Sequence, residues 1–256
     1  MGLINYSNLQ DNDFKNMTNL SIEYLRFTAF WEGIEKNKGV FDWRRMDKII
    51  SLAKKNGIKP VLVIGYIPKY LDTNNRTMDT FKKERYIFFL EKVVRRYPYI
   101  KFYEIWNEPD IKIFWKYSYN EYINLIKISY DIIKKNNKNA KVINGGLAKK
   151  NISYVQKLLN DTDGYIDFLS IHFYYHWNKP KYDQINYIRN VCKLSKKYKL
   201  KVWITETGIP SGGYNNYSYK RIGYYPSSQA RELIKLFVLL KSIKEHDVIE
   251  QIFLYS

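Results

Sequence analysis

Two short stretches carry groups that can do chemistry. YEIWNEPD, residues 103–110, runs from an alternating apolar segment into an amide, a carboxylate and a proline, Asn107-Glu108-Pro109, which are hard to bury side by side. VWITETG, residues 202–208, ends another apolar run on Glu206. Two carboxyl groups in unlike environments can hold one proton and one negative charge, the equipment for general acid/base work beside nucleophilic attack. Taken alone, N-E-P reads equally well as a turn that starts a helix. Taken together, the two stretches need a fold that makes neighbours of carboxylates 98 residues apart along the chain.

The elements that must position them follow one rhythm: an apolar β-branched segment, a polar loop, an amphipathic stretch. Eight strands are predicted, at residues 2–7, 22–28, 59–65, 101–106, 141–146, 166–173, 201–206 and 250–256. Helical spacing is clearest where Trp43, Met46, Ile49, Ile50 and Ala53 share a face between Asp42 and Gly57. Ser118 and Glu121 have the spacing of a capping box before Tyr122, Leu125, Ile126 and Ile133. A last helix follows Pro226 through QARELIKLFVLLKSI. Eight units in 256 residues, with no linker between them, suit a single-domain α/β fold, the (β/α)8 TIM barrel, whose usual length is about 250 residues. An open doubly wound sheet would favour a glycine-rich phosphate turn after the first strand, and GLINYSNLQ has none. The first helix, about 11–19, is short, and the eighth is expected to be missing or truncated, or to lie in chain beyond residue 256.

A closed parallel barrel gathers its functional groups where strands give way to loops at their carboxyl ends. That rim would hold Arg26 from the second strand, Asn107 and Glu108 from the fourth, His172 and Tyr174 from the sixth, Glu206 from the seventh and Tyr255 from the eighth. Glu104 shares strand parity with Glu108 and reads as a structural carboxylate of the barrel interior. Arg26 could instead neutralise Glu104 or Glu23, and His172 could be a satisfied core histidine.

Composition removes several classes. The 43 Lys and Arg against 25 Asp and Glu leave a net charge of +18, but the cations alternate with apolar residues at helical spacing, the pattern of solvated helix faces. No nucleic-acid-binding module or dense basic stripe stands out. The lone Cys192 can form no internal disulfide. No run approaches the roughly 20 apolar residues of a membrane span, and the N-terminus lacks the pattern of a signal peptide. The chain is expected to be soluble, cytoplasmic or an excised domain of a secreted precursor. Neither H-E-x-x-H nor Cys/His ligand spacing occurs, so no metal or other cofactor is expected, and His176 and His246 carry no signal. Gly145-Gly146 lacks the Lys-Ser/Thr of a phosphate loop and reads as close packing at the rim.

In this order the segments resemble the clan-A retaining glycoside hydrolases, whose two catalytic glutamates end strands four and seven. YEIWNEPD and VWITETG match those segments, LRFTAFWEGIEKNKGVFDWRRMDKII has their arginine, tryptophan loop and G-x-F-D-W helix entry, and DFLSIHFYY has their H-x-Y. Within the clan the chain is most similar to glycoside hydrolase family 39 and related β-glycosidases. The resemblance implies Glu108 as general acid and then base, Glu206 as nucleophile, and Asn107 as the partner of the sugar 2-hydroxyl. Arg26 and Tyr174 are the right groups to orient Glu206 and keep it ionised, since a nearby cation and donated hydrogen bonds both favour a carboxylate. His172 could donate to Glu206 or to a sugar hydroxyl, while Glu108 gains no such neighbour in sequence. Retaining enzymes hold the two carboxyls roughly 5–5.5 Å apart and inverting ones roughly 6.5–9.5 Å. The sequence alone permits either spacing; the resemblance implies retention.

The substrate expected is an oligo- or polysaccharide bound by a monomer in an open groove. Aromatic faces suit sugar rings, and the predicted rim carries Phe30, Trp31, Tyr66, Tyr70, Phe114, Trp115, Tyr175, Trp177 and the tyrosines of the long 207–226 loop. The net charge adds anionic glycans to the candidates. One departure stands out: clan members place a tryptophan at the end of the eighth strand, where this chain has Leu254 and Tyr255. Competing readings are a noncatalytic carbohydrate-binding barrel, a transglycosylase using the same residues, and a basic nucleic-acid-binding protein.

Overall fold

The computed structural model describes residues 2–4, 9–71, 78–175, 181–209 and 226–255. Eight parallel strands, β1 (Gly2–Ile4), β2 (Tyr24–Phe30), β3 (Lys59–Gly65), β4 (Phe102–Ile105), β5 (Lys141–Asn144), β6 (Phe168–His172), β7 (Lys201–Thr207) and β8 (Ile249–Tyr255), form a closed barrel in chain order. Closure is made by β8 pairing with β1, Phe253 opposite Gly2 and Tyr255 opposite Ile4. All eight predicted strands are present, and the part of the first at 5–7 lies outside the described residues.

The helices are α1 (Asp11–Asn19), α2 (Trp31–Ile34), α3 (Arg44–Lys55), α4 (Thr80–Arg96), α5 (Tyr119–Asn136), α6 (Ile152–Asp161), α7 (Lys181–Lys197) and α8 (Pro226–Lys241). Their ends follow local chemistry. Ser118 accepts from the Glu121 N–H and the Glu121 carboxylate accepts from the Ser118 N–H, so the capping box starts α5 as its spacing predicts. Along α3 the residues Met46, Ile49, Ile50 and Ala53 are buried, and the chain leaves through Gly57 at φ +70°. The turn α2 was not evident in the sequence. No helix follows β8 among the described residues, and none of the described helices is long and apolar enough to cross a membrane.

The larger core fills the space between the outer strand faces and the helices. A second cluster, Val61, Ile143, Trp203 and Phe253 with Tyr24, Phe102 and Phe168 against it, plugs the barrel near the strand starts. One step further along the strands the interior turns polar, with Arg26, Glu104, Ser170 and Thr205 all buried. That change of character, from an apolar plug to a buried ionic layer, locates the functional end of the barrel.

Candidate active site

Period-2 alternation along β7 turns Trp203 and Thr205 inward and would turn Glu206 out. A register shift prevents this. Ile171 pairs with Ile204 but His172 pairs with Glu206, so two residues of β7 face one of β6. Such a bulge re-aims a side chain. Thr205 and Glu206 consequently both face the interior, Thr205 hydrogen-bonding Ser170 and Glu206 reaching Arg26. On the other side of the barrel β4 ends in a contorted turn, with Trp106 at φ +71° and Glu108 at φ +46°. Left-handed backbone at non-glycine residues costs energy and is concentrated at functional sites.

Arg26 ties the two sides together. Its Nε donates to Glu104 Oε2 at 2.6 Å, Nη1 to Glu206 Oε1 at 2.8 Å, and Nη2 to Glu104 Oε1 at 3.0 Å and Asn107 Oδ1 at 2.9 Å. Glu104 therefore does what its parity suggested, and Arg26 serves Glu104 and Glu206 together; Glu23 pairs with Lys59 instead. The Tyr174 hydroxyl donates to Glu206 Oε2 at 3.0 Å. Burial first, and then the neighbouring Glu206 charge, push the Tyr174 phenol well above its ordinary value, so it stays protonated as a donor. Tyr66 at the end of β3 is raised likewise by burial; it faces Asn107 and both carboxylates, and its ring stacks on Trp106.

His172 departs from expectation. Its Nδ1 lies 2.8 Å from Glu108 Oε1 and 3.5 Å from Glu206 Oε2, so its hydrogen bond goes to Glu108 in the turn after β4. Nor is it a satisfied core histidine, since its buried Nε2 has no hydrogen-bond partner among the described residues. One ligand atom from each of Glu108, His172 and Glu206 lies within 4.8 Å of the others, a cluster a divalent cation could bridge. The Arg26 guanidinium already supplies positive charge beside Glu206. The arrangement can bring one carboxyl and one arginine-bound carboxylate to a shared bond, the requirement for acid-assisted displacement.

The family profile Glycosyl hydrolases family 39 matches residues 7–202, which take in Asn107 and Glu108 and stop short of Glu206. The chain belongs to glycosyl hydrolase family 39. A curated relative, the β-xylosidase of Caldicellulosiruptor saccharolyticus, is 28% identical over 182 residues, 60% of this chain and 37% of its own length. Among solved structures, a family 39 glycoside hydrolase from Bacteroides cellulosilyticus WH2 superposes with a TM-score of 0.73 at 23% identity, over 100% of this chain and 56% of that one. A monomeric β-xylosidase from Caulobacter crescentus CB15 gives 0.75 at 18% identity, over 98% of this chain and 59% of that one. The chain thus spans little more than a third of the curated relative and under three fifths of these two structures.

In this family 39 barrel the aromatic rim is smaller than the sequence suggests. Trp31 is not at the rim. As the first residue of α2 it turns into the core, stacked on Phe89 of α4, with its indole N–H donated to Glu35 at 2.7 Å, and it has no exposed face for a sugar. Trp115 and Tyr175 are also buried, Trp115 donating to the Ser118 carbonyl. Phe30, Tyr66, Tyr70 and Phe114 keep part of their surface. Trp177 and the tyrosines from 214 to 225 lie outside the described residues. Tyr255 is 45% exposed near Tyr174, whose phenol feels it, and next to Gly208.

One support escaped the sequence reading. Asp110 accepts from the Ala148 and Lys149 N–H groups and anchors the loop after β5 to the loop after β4. A carboxylate two residues after Glu108 was the only signal available for it. Gly145-Gly146 packs closely at the rim as read from the sequence, with Gly146 against both His172 and Glu104.

Proposed function

We propose that the chain is the catalytic barrel of a retaining O-glycoside hydrolase that cleaves β-glycosidic bonds, with Glu206 as nucleophile and Glu108 as acid and then base. The observation that carries this reading is the spacing. An oxygen of Glu108 and an oxygen of Glu206 lie within 4.8 Å of each other. Oxygens that near each other fit the roughly 5–5.5 Å carboxyl spacing of retaining enzymes better than the roughly 6.5–9.5 Å of inverting ones.

In the mechanism, the Glu206 carboxylate attacks the anomeric carbon while Glu108 passes its proton to the departing glycosidic oxygen. The glycosyl ester that results removes the charge from Glu206. Glu108, now ionised, takes a proton from water, which attacks the same carbon and frees Glu206 with the anomeric configuration restored. Arg26 and Tyr174 aim Glu206. Because Arg26 holds the Asn107 carbonyl, the amide N–H end of Asn107 is turned to Tyr66 and the sugar 2-hydroxyl.

The β-xylosidases among its relatives support a β-xyloside or related oligo- or polysaccharide as substrate, and the Caulobacter enzyme, described as monomeric, supports a monomer. The net charge of +18 favours anionic glycans within that class, with turnover that falls as salt is added. Aryl β-glycosides and β-linked polysaccharides, offered to the parent, Glu206→Ala and Glu108→Ala, test the reading. Both variants lose on the order of 1,000-fold or more. Azide restores turnover of activated substrates, giving the α-azide with Glu206→Ala and the β-azide with Glu108→Ala. Full activity in Glu206→Ala defeats the nucleophile assignment, and sugar binding without turnover by the parent favours the noncatalytic barrel.

A further inference from the structure

We infer that Gly146, in the turn after β5, is a positioning residue that sets the place of the Glu108 carboxyl through His172 while its N–H braces the Glu104–Arg26 pair beside Glu206; the inference rests on the roles proposed above for Glu108 and Glu206. Its N–H donates to Glu104 Oε1 at 2.8 Å. Glu104 grips Arg26, and Arg26 reaches Glu206 and Asn107. On the other side Gly146 lies against the imidazole of His172: a Cβ built at 146 falls 2.1 Å from Nε2, 2.2 Å from Cδ2 and 2.7 Å from Thr205 Oγ1. Through its other nitrogen that imidazole meets Glu108 at 2.8 Å.

The backbone itself does not ask for glycine here, because Gly146 is not among the residues with positive φ. Its neighbours do. Nor can the turn move aside. Gly145 donates to the Tyr122 hydroxyl at 2.7 Å, Leu147 accepts from the His172 N–H at 2.9 Å, and Asp110 holds the next two N–H groups. The side chain that must yield to a methyl group at 146 is therefore His172, and with it Glu108.

Gly146 also closes off the Nε2 edge of His172, which has no hydrogen-bond partner among the described residues. A bare lone pair there costs less than a buried unmet N–H, which assigns the proton to Nδ1. His172 then donates to Glu108 Oε1 and leaves Oε2 to carry the acid proton toward the leaving group.

The test compares kcat/KM for a dinitrophenyl β-glycoside, whose leaving group needs no proton, with that for an alkyl β-glycoside, whose leaving group does. In Gly146→Ala the alkyl substrate slows about 100-fold and the dinitrophenyl substrate less than about 5-fold, because only the former draws on the acid. In a His172→Ala background the vacated volume receives the methyl group and lets it ease off Thr205, so adding Gly146→Ala changes neither the leaving-group dependence nor the melting temperature. Parent-like behaviour of Gly146→Ala, equal losses on both substrates, or a further loss in the double variant overturns the inference. If Gly146→Ala alone does not fold, the comparison of His172→Ala with the double variant decides. Failure of the catalytic reading is seen separately, as retained activity in Glu108→Ala or Glu206→Ala.

Discussion

Arg26 hydrogen-bonds three side chains, Glu104 and Asn107 around the end of β4 and Glu206 on β7, and lysine could not replace it, because one ammonium cannot span Glu104, Asn107 and Glu206 in a fixed fork. Tyr174 completes the grip on Glu206, and its contribution is separable. A hydrogen bond to a charged group is worth roughly 1.5–3 kcal/mol, so Tyr174→Phe is expected to lower kcat/KM by about 10- to 100-fold. The pH dependence follows from the raised phenol. A phenol whose value rises above 10 in the fold remains a neutral donor at every lower pH, so the ratio of parent to Tyr174→Phe activity should stay constant from pH 5 to about pH 9. A ratio that falls toward 1 as pH rises through 8 would show that Tyr174 ionises in the working range.

At the scale of elements, the bulge in β7 and the left-handed turn after β4 are what aim Glu206 and Glu108 into the barrel. Helix contacts hold the outer ring, and one of them responds to pH. Asp47 of α3 accepts from Arg96 of α4 at 2.7 and 2.9 Å and from the Tyr97 hydroxyl at 2.8 Å. The hydrogen bonds from Arg96, and then that from Tyr97, hold the Asp47 carboxyl below its ordinary 3.8 against a raising effect of burial. A lowered carboxylate stabilises the fold above its unfolded value, and that stabilisation is lost as pH falls through the folded one. Both partners are about two fifths exposed, so the effect is of the surface kind, about 0.2–1 kcal/mol. Asp47→Asn should therefore melt slightly below the parent at pH 6, and the gap should close as the pH is taken below 3.8. An undiminished gap at pH 2.5 would assign the cost to packing.

Across the whole molecule the barrel divides its labour along its axis. Trp203 is 1% exposed in the apolar plug, within 4.7–5.6 Å of the rings of Phe168, Phe102, Tyr24 and Phe253, with its N–H on Glu250. Removing it leaves a cavity, and Trp203→Ala should cost about 3–5 kcal/mol in unfolding free energy. Because the plug lies one layer nearer the strand starts than Glu108 and Glu206, kcat measured well below the melting temperature and corrected for folded fraction should change less than about 3-fold. A large fall in kcat with little loss of stability would contradict that division.

The sequence by itself determined the eight-fold alternation, the helix caps and the two glutamates at strand ends, because strand and helix periods, capping boxes and polar strand ends are written in residues a few positions apart. It also placed Glu104 inside by parity. Only the tertiary structure decided the rest. Glu206 faces inward because β7 slips one residue against β6, and His172 serves Glu108 because the closed barrel sets those two strands near each other. Trp31, Trp115 and Tyr175 are core residues because packing covers them, with Phe89 of a distant helix stacked on Trp31. Register and burial are set by contacts between segments far apart in the chain, and local patterns of residues carry no record of them.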